Sequence, residues 1–125
     1  MLGLAQVTFQ GGLDIIYDCQ DIEFDRTHGI HSVPARFGIV GALHWSRGCH
    51  LSTILLLGVL GIMMSLGTLY WTGLTIMSLL FFYEHSLIKP HDFSRSKMAV
   101  FHVNALASVS LFVFTFSSLF ASFSI

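Results

Sequence analysis

The sequence predicts an all-α, polytopic membrane helix bundle, and two observations lead to that prediction. First, 54% of the 125 residues are hydrophobic and only 10% are charged, with a mean hydropathy of +0.73, whereas soluble proteins carry about 25% charged residues. A soluble domain of this size could not bury so much apolar surface. Second, several apolar segments are long enough to cross a bilayer, which requires about 20 residues. The sequence contains no basic patch, so nucleic acid is not expected as a partner.

Each part of the chain has an expected place in that bundle. Residues 1–17 are apolar but too short for a full crossing, which predicts the end of a preceding span. Residues 18–40 are polar and are interrupted by Gly29 and Pro34, which predicts a loop in which a helix ends near Thr27. The remaining apolar segments predict three transmembrane helices, at 41–69, 70–88 and 98–122.

The basic residues predict the orientation in the membrane. All six flank the same ends of the predicted spans, and the turn between the first two spans carries no charge. They are Arg26, Arg36, Arg47, Lys89, Arg95 and Lys97. Because basic residues are retained on the cytoplasmic side, this side is predicted to face the cytoplasm, in a multi-pass protein of the inner (cytoplasmic) membrane. The acidic residues lie on the same side, so functional groups are expected there.

Four aspartates form a stripe across the end of the first apolar segment and the polar segment. They are Asp14, Asp18, Asp21 and Asp25, at i, i+4, i+7 and i+11. On a continuous helix the four carboxylates would fall within an arc of roughly 60°. Like charges this close repel one another, which predicts a bound cation. Mg²⁺ suits such a stripe, because it takes one or two carboxylates and completes its coordination with water and phosphate oxygens. The alternative is a solvated acidic helix face.

Two stretches resemble a known family. The sequence GLDIIYDCQDIEFDRTHGIHSVPARFG resembles the second aspartate-rich motif of the UbiA superfamily of intramembrane aromatic prenyltransferases. The sequence YEHSLIKPHDFSRSKMAVFHVNA is similar to the matching region of its 4-hydroxybenzoate polyprenyltransferase branch, which includes menaquinone-pathway relatives. The resemblance implies an all-helical fold of about nine spans around a central cavity. This chain matches the C-terminal part of that fold, from the end of the sixth span onward.

The resemblance also implies a reaction. A polyprenyl group would pass from polyprenyl diphosphate to an aromatic acid, such as 4-hydroxybenzoate or a hydroxynaphthoate, in ubiquinone or menaquinone biosynthesis. Mg²⁺ would assist loss of the diphosphate, and a ring carbon ortho to a phenol hydroxyl would attack the resulting allylic cation. The implied active site faces the cytoplasm, and the lipid bilayer surrounds the prenyl chain.

The family motif assigns roles to the polar segment. Asp21 and Asp25 match the central DxxxD pair and are the implied catalytic metal ligands. Asp18 and Asp14 match outer positions of the motif and are implied as further ligands or supports. Three basic or imidazole side chains are implied to contact the diphosphate, although an arginine beside four acids also serves as a charge balancer. They are Arg26, Arg36 and His31.

Four residues of the second stretch are candidates to hold the aromatic substrate. Glu84 and His85 end the second predicted span, where they either face the cavity or lie at the water interface. Lys89 is a candidate partner for the substrate carboxylate, and its alternative role is a topology anchor. Asn104 matches an asparagine of the family's last helix and is expected to form a hydrogen bond across helices.

The first aspartate-rich motif of the family is not found in the sequence. We therefore expect a C-terminal piece of an enzyme that is inactive alone and whose partner is a missing N-terminal half. One alternative is a haem-binding membrane anchor of a respiratory complex, with axial histidines from facing helices. The histidines available for that role are His44, His50, His85 and His102. A further alternative is a non-catalytic membrane fragment.

Overall fold

The computed structural model describes residues 1–88 and 96–124, and within them all regular structure is helical. Helix α1 spans Leu2–Asp18 and is followed by a single 3-10 turn, Cys19–Asp21. The later helices are α2 (Ile22–Thr27), α3 (Val33–Met63), α4 (Thr68–Leu87) and α5 (Ser96–Phe123). The prediction of an all-α membrane helix bundle is confirmed.

Two of these helices are long and apolar enough to cross a membrane. They are α3 and, within α5, the segment Val100–Phe123. Helix α4 has 20 residues, but its polar side chains lower its hydropathy, and it is not among the segments that meet both criteria. Its role as a transmembrane helix stays a prediction.

Helix α3 begins earlier than the apolar segment that predicted it. Ser32 caps the helix by accepting a hydrogen bond from Ala35 N at 3.3 Å, and Pro34 occupies the first turn, where its fixed φ is favourable. Gly38 then adopts φ 77° and ψ 170°, a conformation open to glycine, and kinks the helix. The part of α3 before Gly38 therefore runs in a different direction from the long apolar part that follows.

The helices pack as two pairs. Helix α1 lies along α3, and α4 lies along α5, whereas α3 and α4 touch over a much smaller area. Polar contacts join α1 to α3: Thr8 Oγ1 lies 2.8 Å from Thr53 Oγ1, and Ser46 Oγ donates to Gly12 O at 2.8 Å. Hydrogen bonds of this kind hold helices together in a membrane, where burial of apolar side chains gives little net attraction.

Candidate functional site

The spacing of the four aspartates predicted that they share one continuous helix. In the structure they do not, because the helix is broken between Asp18 and Ile22. Helix α1 ends at Asp18, and the 3-10 turn that follows changes the angular position of the later residues. Asp14 and Asp21 are exposed, Asp18 is half-buried and Asp25 is only 7% exposed. Gln10 Nε2 donates to Asp14 Oδ1 at 3.0 Å, which engages that carboxylate at the near end of the stripe.

The four carboxylates still act on one another. The pKa of Asp18 is raised above its usual value, first by burial and then by the negative charges of Asp25, Asp14 and Asp21. This arrangement attracts cations. Within residues 1–88 and 96–124, however, no group of three or more His, Cys, Asp or Glu side chains is close enough to hold one ion. A metal bound here would therefore take part of its coordination from water or a ligand.

A cavity of about 780 Å³ lies between the end of α2 and the start of α3. The predicted site residues on its wall are Asp25, Arg26, His31 and Arg36. Gly29, with φ 67°, forms the turn that closes the cavity. Two arginines and one buried carboxylate that line the same cavity suit a phosphate ligand that also carries a metal ion. Asp14, Asp18 and Asp21 do not line this cavity.

The side chains of Glu84 and Asn104 form a buried polar contact between α4 and α5. Glu84 is fully buried within the described chain. Asn104 Nδ2 donates to Glu84 Oε1 at 2.8 Å and to Val100 O at 2.9 Å. The expected hydrogen bond of Asn104 across helices is thus present, and its acceptor is a predicted site residue. Lys89, the other candidate of this region, lies outside the described residues.

Sequence reasoning missed the role of His50. The His50 ring is 2% exposed, stacks on Phe81 with centroids 4.3 Å apart, and joins α3 to α4 through a 3.1 Å contact between His50 Nδ1 and His85 Nε2. Glu84 Oε2 lies 4.0 Å from His50 Nδ1. The sequence offered one signal, a histidine on the same face of α3 as buried Ser46, Thr53 and Leu57.

The histidines are not arranged as haem ligands. His50 and His85 bond to each other, which leaves no room for a porphyrin between them. His44 and His102 are exposed, and His102 Nδ1 lies 2.6 Å from Met98 O of its own helix. The described residues therefore do not support the haem-anchor alternative.

Comparison with known proteins gives two matches. The profile of the UbiA prenyltransferase family matches residues 1–106. The chain is also 32% identical, over 107 residues, to a 4-hydroxybenzoate octaprenyltransferase of Cupriavidus pinatubonensis. That match covers 84% of this chain but 36% of the relative, so the chain spans about a third of the relative's length. No solved structure gives a significant match.

Proposed function

Because the chain belongs to the UbiA prenyltransferase family, we propose that it carries part of an active site that prenylates an aromatic acid. The donor is a polyprenyl diphosphate, and the acceptor is 4-hydroxybenzoate or a hydroxynaphthoate, as in the formation of ubiquinone or menaquinone. The octaprenyltransferase relative supports this choice of donor and acceptor classes.

The cavity between α2 and α3 supports a diphosphate site. Arg26 and Arg36 line it from two different helices, so their guanidinium groups can engage different oxygens of one diphosphate by charge-assisted hydrogen bonds. His31 lies on the same wall and provides a further ring nitrogen. The presence of two arginines and a buried carboxylate on the lining of one cavity is the observation that carries the proposal.

The aspartates fit Mg²⁺ as a partner of that diphosphate. Asp21 and Asp25 would hold the ion, with Asp18 and Asp14 as outer ligands or supports. The pKa of Asp18 is raised first by burial and then by the negative charges of its three aspartate neighbours, and a cation would offset those charges. When bound, Mg²⁺ neutralises the charge that develops on the departing diphosphate. The chain's own arginines hold the same leaving group, and its apolar helices exclude water from the prenyl chain.

We place the site on the cytoplasmic side of the inner membrane, because the basic residues all flank that side. The chain covers 36% of the relative. We therefore propose that a further polypeptide segment supplies the other metal-binding motif and most of the prenyl tunnel. The isolated chain is then expected to enter membranes without forming product.

A chimaera tests the proposal. The matched segment of the Cupriavidus relative is replaced by residues 1–106 of this chain, the range that the family profile matches, and octaprenyl transfer to 4-hydroxybenzoate is measured in membranes. We expect transfer that requires Mg²⁺, and we expect Asp21→Asn or Asp25→Asn to lower its rate at least about 100-fold, because the leaving diphosphate loses its counterion.

Glu23→Gln is the matched control, since Glu23 is an exposed acid of the same segment that lies off the stripe. It should leave the rate within about threefold. A chimaera that folds but transfers no prenyl group, or aspartate variants as active as the control, would overturn the proposed function.

A further inference from the structure

Glu84 is the only acidic residue of the described chain whose side chain has no exposed surface. Its two carboxyl oxygens differ in their surroundings. Oε1 accepts a hydrogen bond from Asn104 Nδ2 at 2.8 Å, across the interface of α4 and α5. Oε2 has no hydrogen-bond partner within the described chain, and neither has Asn104 Oδ1. Both of these oxygens are acceptors when Glu84 is ionised, so neither can satisfy the other.

Water cannot supply the missing partners. The two oxygens have almost no exposed surface, so a water molecule does not reach them. A buried polar atom without a partner destabilises the fold, and an ionised carboxylate in apolar surroundings does so more strongly. A single proton on Glu84 Oε2 removes both penalties. It neutralises the carboxyl group, and it supplies the one donor that the two oxygens lack.

The surrounding side chains do not favour an ionised Glu84. Among the described side chains, His50 is the only basic group within 4.0 Å of the carboxyl group, and its Nδ1 lies 4.0 Å from Oε2, beyond hydrogen-bond distance. That nitrogen is already engaged by His85 Nε2 at 3.1 Å. A buried ion pair without a direct hydrogen bond does not repay the desolvation of its two charges. Arg47 acts on His85 and not on this carboxyl group, and Tyr17 of α1 can only become negative.

We propose that Glu84 keeps a proton in the folded protein and forms with Asn104 a neutral acid–amide pair, which fastens α4 to α5 and opens when the proton is lost. In this pair Asn104 Nδ2 donates to Glu84 Oε1, and the Oε2 hydroxyl donates to Asn104 Oδ1. The second Nδ2 proton is bonded to Val100 O at 2.9 Å, so each donor of the pair has an acceptor. The inference goes beyond the proposed function and does not depend on it.

The acid–amide pair makes the joint between α4 and α5 sensitive to pH. In the unfolded chain Glu84 is exposed and gives up its proton near the ordinary value for glutamate, about pH 4.3. Above that pH the folded chain binds one proton more than the unfolded chain, so stability falls as the pH rises. When Glu84 ionises in the folded chain as well, a charge is buried and two oxygens again lack a donor. Helix α4 is then held to α5 by one hydrogen bond and apolar packing.

Infrared spectroscopy of the 125-residue chain tests the protonation, in a detergent without carbonyl groups. The C=O stretch of a protonated carboxyl group is separate from the carboxylate and amide bands, and exposed acids are almost fully ionised at pH 6. We expect a carboxylic acid band at pH 6 that Glu84→Gln abolishes. Asp18→Asn and Asp25→Asn, at the other acids with reduced exposure, should retain it. Asn104→Ala should move it to higher frequency, because Oε1 loses its donor.

Thermal unfolding in the same detergent tests the effect on the fold. All chains carry Asp18→Asn, because the pKa of Asp18 is also raised. The unfolding temperature should fall as the pH rises from 6 to 9. Glu84→Gln should remove most of this fall, since its amide offers a donor and an acceptor but no titratable proton. Glu23→Gln, at an exposed acid, is the matched control and should leave the fall unchanged.

Three outcomes would overturn the inference. They are the absence of a carboxylic acid band at pH 6, a band that survives Glu84→Gln, and an equal fall in unfolding temperature with and without Glu84→Gln. Neither measurement involves prenyl transfer. A negative result here therefore leaves the proposed function standing, and an inactive chimaera leaves the acid–amide pair standing.

Discussion

Gly12 and His50 touch across the interface of α1 and α3. A Cβ atom placed on Gly12 would lie 2.5 Å from His50 Cδ2 and 2.6 Å from His50 Nε2, closer than real Cβ contacts allow. The absence of a side chain at Gly12 therefore allows α1 to approach the histidine pair. Small residues generally permit this approach between membrane helices.

Gly12→Ala should destabilise the helix pair. The new methyl group forces the buried His50 ring to move, and overpacking of this kind costs about 1–3 kcal/mol. Gly11→Ala is the matched control, because a Cβ there meets no atom within 4 Å and alanine is the better helix former. We expect thermal unfolding in detergent to occur at a lower temperature for Gly12→Ala only. Equal unfolding temperatures for the two variants would contradict the close approach.

Asn104→Ala should destabilise the pairing of α4 and α5. The substitution removes the donor to Glu84 Oε1, a fully buried acceptor, and an unpartnered buried group costs about 1–3 kcal/mol. Ser108→Ala, one turn further along and exposed, should change the unfolding temperature little. Glu84→Gln retains an oxygen acceptor and is expected to fall between the two. Equal unfolding temperatures for Asn104→Ala and Ser108→Ala would contradict the prediction.

Asp18→Asn should raise stability at neutral pH in metal-free buffer. Burial and three neighbouring aspartates raise the pKa of Asp18 in the folded chain, so folding is penalised once the pH exceeds the unfolded value. Below that value, 3.8, the carboxyl is protonated in both states and the penalty disappears. We therefore expect a higher unfolding temperature for Asp18→Asn at pH 7 and none of this gain at pH 3. Glu23→Gln, at an exposed acid of α2, should change the unfolding temperature little at pH 7.

Cys19 should resist alkylation in the folded chain. Its thiol is 2% exposed, and burial raises its pKa to about 11, so little reactive thiolate is present at pH 8. In the Cys49→Ser background, a maleimide should label Cys19 only after unfolding in detergent. A Cys-free chain carrying Glu23→Cys provides the exposed control and should react at once. Rapid labelling of folded Cys19 would show that the thiol is accessible.

The turn between α3 and α4 should face the outside of the cell. Ser65 occupies this turn, with φ 51°, and is exposed, whereas the basic residues flank the opposite ends of the helices. In a Cys-free chain within whole cells, an impermeant maleimide should label Ser65→Cys. It should label Glu23→Cys only after permeabilisation. The reverse pattern would place the aspartates outside the cell.

The sequence alone determined the all-helical membrane class and the family. Apolar segments about 20 residues long predict membrane helices because backbone polar groups must be bonded internally in lipid. The aspartate-rich stretch and the segment from Tyr83 to Ala105 carried the family resemblance, which the comparisons confirmed. The four aspartates and the arginines near them could be proposed as site residues from local sequence, because the residues of that motif lie close together in the chain.

Only the tertiary structure decided which side chains meet across helices. Helical periodicity fixes the direction of a side chain about its own axis, but not the neighbouring helix that it faces or the height at which it does so. The pairing of His50 with His85, 35 residues apart, depends on how α3 lies against α4. The break at Cys19–Asp21, which buries Asp25 and exposes Asp21, depends on how the chain turns from α1 toward α3. These choices are set by close contacts such as that of Gly12 with His50, because helix surfaces pack only where their shapes allow it.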